Sequence, residues 1–208
     1  MKNNQYKYME YAKKFTSSNK THIWLGGSFL HGGATAYSDV DMSVYCNAET
    51  LKKLIYGYGQ PIYVSYTKNP LGILIVIYED GVALDLEIVE KVEVTGNEYF
   101  HRLDIKENNY VRNDTVCKEF VFDDDTAYQI SRLFHRSLIK YLSGKRDSGV
   151  SILNEIVTFM DTQEFVDESN YISRFSDILR NFHQRFPLPD AYYKLLCELV
   201  EDLDKRNL

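Results

Sequence analysis

The chain has 208 residues, 44% hydrophobic and 26% charged, the balance of a globular protein with enough length for one large core or two small ones. Its 30 Asp and Glu residues outnumber 24 Lys and Arg, for a formal charge of −6. That argues against a broad nucleic-acid surface, whose affinity rests on neutralising phosphates, but it leaves room for a local nucleotide site and suits a cationic small substrate. Cys46, Cys117 and Cys197 show no pairing or metal-ligand spacing, so reduced thiols in a cytosol are expected. Met1 to Lys20 has no continuous apolar core, and no run approaches the roughly 20 apolar residues of a membrane span. A cytoplasmic protein without a membrane partner is therefore expected.

In chain order, Tyr8, Tyr11, Ala12 and Phe15 fall at helical spacing and predict a short amphipathic helix over 6–15, stopped by Ser17-Ser18-Asn19. A strand follows at Thr21 to Leu25, carrying the only tryptophan, Trp24. Gly26, Gly27 and Ser28 then form a turn whose backbone amides can approach an anion closely, because two of these residues carry no Cβ. Phe29 to His31 reads as the first turn of a helix, with free N–H groups adding positive potential at the same place. Ser38 leads into Asp39-Val40-Asp41-Met42-Ser43-Val44-Tyr45, an alternating run and so a strand. Its period of two puts Asp39 and Asp41 on one face and Val40, Met42 and Val44 on the other. Adjacent carboxylates repel, and a cation between them removes the repulsion. Next to an anion cradle, the natural cation is Mg²⁺ carrying a nucleoside triphosphate.

Asn47 is the expected N-cap of a helix from Ala48 to about Tyr56, ended by Gly57 and Gly59. Pro61 opens a strand that runs to Tyr66, Asn69-Pro70 turns, and the apolar run Leu71 to Tyr78 predicts a buried central strand. A hairpin turn at Glu79-Asp80-Gly81 leads to Val82–Val89, where Leu84, Leu86 and Ile88 point one way and Asp85 and Glu87 the other. About five strands, with one helix before them and one between, predict a mixed α/β domain rather than a Rossmann alternation. Between Thr95 and Phe122 the pattern weakens. Tyr99, Phe100 and Leu103 suggest a helical turn, while Asn108-Asn109 and Arg112-Asn113-Asp114 read as loops.

Beyond Asp123-Asp124-Asp125 only helical patterns remain. The stripes are Ile130, Leu133, Phe134, Leu138 and Tyr141; Ile152, Ile156, Phe159 and Met160; and Ile172, Phe175, Ile178, Leu179 and Phe182. After Pro187 and Pro189 comes the last, with Tyr192, Leu195, Leu196, Leu199 and Leu203. The expected organisation is a first domain over 1–124 and an all-α helical bundle over 125–208.

Gly-Ser, a nearby Gly and then Ser-Asp-x-Asp resemble the signature of the DNA polymerase β-type nucleotidyltransferase superfamily. The resemblance covers about residues 22–89 and implies a nucleotidyltransferase core with a mixed sheet. It calls for a third carboxylate on a later strand, and favours Asp85, with Glu87 on the same face as a contender. It implies that Asp39, Asp41 and Asp85 hold two Mg²⁺ ions, and that Asp85 or Glu87 acts as general base. The nucleotide-binding positions it implies are Gly26, Gly27, Ser28, His31 and Ser38, with Gly27 and Ser28 on the β- and γ-phosphates. His31 stands where related enzymes usually carry a basic residue, often Arg.

A short core followed by a helical bundle resembles the antibiotic nucleotidyltransferases, especially those modifying aminoglycosides. The activity this implies is transfer of a nucleoside monophosphate from ATP or another NTP to a hydroxyl of a small, cationic acceptor. Two other readings stay open: an antitoxin-type enzyme that AMPylates a partner protein, and a nucleotide-binding regulatory module that has lost catalysis. A second subunit completing the cleft, as in a homodimer, also stays open.

Other groups have simpler readings. The acidic run at 123–125 caps the helix that starts at Thr126, or else attracts a cationic acceptor. Arg132, His135, Arg136 and Lys140 form a solvated face or reach a nucleotide phosphate. Lys145-Arg146 beside Gly144 fits a helix-ending turn. His22, His101 and His183 are scattered, without zinc-like spacing.

Overall fold

The computed structural model describes residues 2–67, 72–92, 100–101, 110–117, 120, 125–162 and 165–206. The chain divides into two compact units, Met1–Asp123 and Asp124–Leu208. The first contains α1 (Lys2–Asn19), β1 (His22–Leu25), α2 (Gly27–His31), β2 (Val40–Tyr45), α3 (Ala48–Tyr58), β3 (Pro61–Thr67), β4 (Ile73–Tyr78), β5 (Ala83–Val92), β6 (Phe100–His101), β7 (Tyr110–Arg112) and α4 (Asp114–Cys117). The second contains α5 (Thr126–Leu142), α6 (Arg146–Phe159), α7 (Tyr171–Arg185) and α8 (Asp190–Arg206).

The strands build one mixed sheet in the order β3-β4-β5-β2-β1-β6, with β7 paired to the far end of β5. β2 and β5 run parallel, as do β1 and β6; the other pairs are antiparallel. The alternation in β2 and β5 sends Val40, Met42, Val44, Leu84, Leu86 and Ile88 to one face, where all are buried. Tyr8 and Ala12 of α1 and Leu51, Leu54 and Ile55 of α3 belong to the same core. Removing such side chains from water contributes about 1.5–3 kcal/mol each. Asp41, Asp85 and Glu87 line the opposite face.

In the helical unit α5 is the central element, with nine of its residues buried. Phe134 meets Phe175 and Phe182 edge-on, at 5.6 and 5.1 Å between centroids. At Gly149 the α6 backbone approaches α5 so closely that a Cβ would sit 2.8 Å from the Tyr141 Cβ and 3.0 Å from the Ser137 carbonyl oxygen. The Ser137 hydroxyl donates to the Gly149 carbonyl at 2.7 Å and lies 2.7 Å from the Tyr171 hydroxyl. Only a glycine lets these two helices share that contact.

Several local expectations change. α1 runs from Lys2 to Asn19, through the serines expected to stop it, and ends where Lys20 adopts φ +51°. Gly57 lies inside α3 instead of ending it. The Tyr11 hydroxyl donates to the Leu54 carbonyl at 3.0 Å, and a Cβ on Gly57 would fall 2.5 Å from the Tyr11 hydroxyl oxygen. Phe100 belongs to a two-residue strand, not a helical turn, because β1 offers it a parallel edge; Tyr99 and Leu103 lie outside the described residues. Arg112 belongs to β7, not to a loop, since β5 extends to Val92 and pairs with it. Asp114 starts α4. Asn108 and Asn109 lie outside the described residues. With β6 and β7 the sheet has seven strands. No described helix is long and apolar enough to cross a membrane.

Candidate metal and phosphate site

Asp41 and Asp85 are direct partners across the parallel β2–β5 pair, so their side chains leave the same face about 4.8 Å apart. Asp39 immediately precedes β2 and turns into the same space. One carboxylate oxygen from each of Asp39, Asp41 and Asp85 lies within 4.8 Å of the others, and all three residues are half-buried. This donor set can hold a metal ion. Three hard oxygens suit Mg²⁺ or Ca²⁺ better than a soft cation.

The turn after β1 is fitted to this cluster. The Gly26 amide donates to the Asp41 carbonyl at 2.9 Å, tying the turn to β2. Gly27 has φ +56°, and a Cβ there would fall 1.7 Å from Asp41 Oδ2, so only glycine fits beside the carboxylate. Ser28 Oγ is buried without a hydrogen-bond partner among the described residues. A buried hydroxyl with no partner is uncommon, and this one sits one residue from the glycine that touches Asp41.

The other expected site residues are more dispersed. His31 is exposed at the end of α2. The Ser38 hydroxyl accepts from the Thr35 amide at 2.9 Å, which shapes the turn leading into Asp39. Gln5 of α1 donates to the Ala36 and Ser38 carbonyls at 3.0 and 3.2 Å and braces that turn.

Glu87 shares a face with Asp85 but stands outside the three-carboxylate cluster. Its Oε1 is ion-paired with Arg112, and its Oε2 accepts from the Ser43 hydroxyl at 3.1 Å. Ser43 is the cross-strand partner of Glu87, as Asp41 is of Asp85. The Arg112 guanidinium also donates to the Gly72 carbonyl at 3.3 Å. Sequence reasoning missed Arg112: it lies 25 residues after Glu87, in a stretch with little periodicity.

Two histidines that look scattered in sequence meet in space. His22 Nδ1 lies 3.1 Å from His101 Nε2, because the parallel β1–β6 pairing sets His101 beside Trp24. The Trp24 and His101 rings are 4.9 Å apart and 11° from parallel. His183 instead accepts from the Leu188 amide at 3.0 Å and stacks on Tyr193.

In the helical unit Asp125 caps α5, accepting from the Ala127 and Tyr128 amides at 2.9 and 3.3 Å; Asp123 and Asp124 lie outside the described residues. Of the basic run in α5, His135 is buried, Arg136 is exposed, and Arg132 and Lys140 are half-buried. His135 thus departs from the solvated face expected for this run, while Arg132, Arg136 and Lys140 all keep contact with solvent. Arg146 begins α6 instead of ending a turn, and pairs with Glu168 at 2.8 Å. No family model matches this chain, and no curated protein matches it.

Proposed function

We propose that the protein is a nucleotidyltransferase, transferring a nucleoside monophosphate from an NTP, ATP in the first instance, to a hydroxyl of a small acceptor. The observation that carries the reading is the convergence of Asp39, Asp41 and Asp85 against the Gly27–Ser28 turn. A set of three carboxylates fits two Mg²⁺ ions and their nucleotide, and the unpartnered Ser28 hydroxyl fits a phosphate oxygen. Asp39 and Asp41 would hold the ions, and Asp85 would join them on the acceptor side. Mg²⁺ when bound supplies charge neutralisation at the phosphoryl oxygens and lowers the pKa of the attacking hydroxyl.

The chain's own residues then do the following. The Gly27 backbone and the Ser28 hydroxyl donate to the terminal phosphates and orient the α-phosphorus. Asp85 accepts the proton of the acceptor hydroxyl, directly or through one water. Glu87 is less suited to that step, because both its oxygens are engaged by Arg112 and Ser43. The net charge of −6 favours a cationic acceptor, such as an aminoglycoside-like antibiotic, over a polynucleotide.

The test is calorimetric titration of a non-hydrolysable ATP analogue, with and without Mg²⁺, into the wild type and Asp39→Asn/Asp41→Asn. Mg²⁺-dependent binding that disappears in the variant is the expected result. Pyrophosphate release over a panel of amine-bearing alcohols then identifies the acceptor. Asp41→Asn should lower that release by about 10³-fold, since the metal contribution is several kcal/mol, with the fold intact. A folded variant of full activity would overturn the reading. Nucleotide binding without turnover across the panel would point instead to a regulatory module.

A further inference from the structure

We infer that Arg112 is a positioning residue that keeps Glu87 out of the metal centre, limiting it to three carboxylates. The inference rests on reading Asp39, Asp41 and Asp85 as that centre. On β5, Glu87 follows Asp85 by two residues and leaves the same face, about 6.6 Å along the strand. Its side chain is one methylene longer than that of Asp, and it is 26% exposed. By chemistry and by placement, a Glu87 released from its partners would supply a fourth hard-oxygen ligand for the same ions.

Two contacts on β5's neighbours divert it. Arg112 of β7 takes Oε1, and Ser43 of β2 donates to Oε2. The guanidinium is itself held by the Gly72 carbonyl, at 3.3 Å, and is only 20% exposed. A fork-shaped cation anchored at two points holds a carboxylate in one orientation better than an ammonium would. The same cation offsets the Glu87 charge, so Glu87 adds no net negative charge beside the three-carboxylate cluster. A centre with fewer anionic ligands binds divalent ions more weakly and releases them with the nucleotide more readily.

The test is titration of Mn²⁺ alone, by calorimetry and by the electron paramagnetic resonance signal of the free ion. Arg112→Met, which removes the cation but keeps the volume, should bind Mn²⁺ about tenfold more tightly than the wild type, since it frees a carboxylate and deletes a positive charge. Arg112→Lys should fall between the two. Adding Glu87→Gln to Arg112→Met should return the affinity to the wild-type value, since the pair is then neutral and no fourth carboxylate remains; Glu87→Gln alone leaves the Arg112 charge unmatched and should bind Mn²⁺ no more tightly than the wild type. Structural damage does not tighten metal binding, so the direction separates positioning from a purely structural role. If Arg112→Met does not fold, Arg112→Gln keeps a donor for the Gly72 carbonyl and carries the same expectation. Unchanged or weaker Mn²⁺ binding in the folded Arg112 variants would overturn the inference while leaving the metal centre standing, as would an Arg112→Met/Glu87→Gln double variant that stays as tight as Arg112→Met. A wild type that binds no Mn²⁺ would overturn both.

Discussion

The two units treat their buried polar groups differently. Among the described residues, the buried side-chain atoms without a hydrogen-bond partner are Gln5 Oε1, the Tyr8 hydroxyl, Ser28 Oγ and Ser65 Oγ, all in the sheet unit. In the helical unit the buried Ser137 and Tyr171 hydroxyls meet each other and the Gly149 carbonyl, and the Tyr192 hydroxyl donates to the Ser131 carbonyl at 3.1 Å. The sheet unit also crowds three carboxylates together against a glycine at positive φ. Packing alone supplies no reason for that arrangement, since unpaired buried groups and like charges both reduce stability. Local conflicts of this kind are expected where a protein binds something. On the proposed function, that contrast assigns the metal chemistry to the sheet unit, while the helical unit satisfies these buried polar groups within its packing.

The strongest way to break that assignment is Phe134→Ala. Phe134 is fully buried between Phe175 and Phe182, and its truncation should cost about 3–5 kcal/mol in denaturant unfolding. Under conditions where the variant stays folded, Mn²⁺ affinity should not change; a large change there would mean that the helical unit shapes the metal site.

Gly27→Ala should show the opposite profile. Its backbone strain is on the order of 1–3 kcal/mol, but the new methyl must displace the Asp41 carboxylate, which would stand 1.7 Å away. Mn²⁺ binding should be lost while most of the stability remains. A variant that binds Mn²⁺ as the wild type does would remove Gly27 from the site.

The smallest effect sharpens the comparison within the sheet unit. Burial, and then the neighbouring Tyr78, Tyr11 and Tyr58, raise the Tyr8 phenol well above its ordinary value. Burial and then Cys117 push the Cys46 thiol up to about 12. Raised folded values mean that the neutral forms carry the stability. It is fully present below the ordinary thiol and phenol values, about 8.5 and 10, and is lost as pH rises through the raised ones. Unfolding free energy should therefore fall above about pH 9. Tyr8→Phe, which removes an unpartnered hydroxyl, should be neutral or stabilising by up to about 1 kcal/mol at pH 7, with a shallower alkaline decline. A clear loss of stability at pH 7 would show that the hydroxyl has a partner, such as a buried water.

By itself the sequence determined which faces exist. Period-two alternation assigned Asp41, Asp85 and Glu87 to one side of their strands and the apolar residues to the other. Spacing of 3.6 marked the apolar stripes of α5, α7 and α8, and Asn47 and Asp125 announced the caps of α3 and α5 through short-range chemistry. These are local properties, fixed by backbone geometry over a few residues. Which residues stand beside which follows from the pairing of distant strands. The parallel β2–β5 register chose Asp85 as the partner of Asp41 and Ser43 as the partner of Glu87. β7, arriving 25 residues later, brought Arg112 to that glutamate, and β6 brought His101 to His22. Pairing across a sheet depends on long-range registration, in which a shift of one residue exchanges faces, and no short stretch of sequence carries that information.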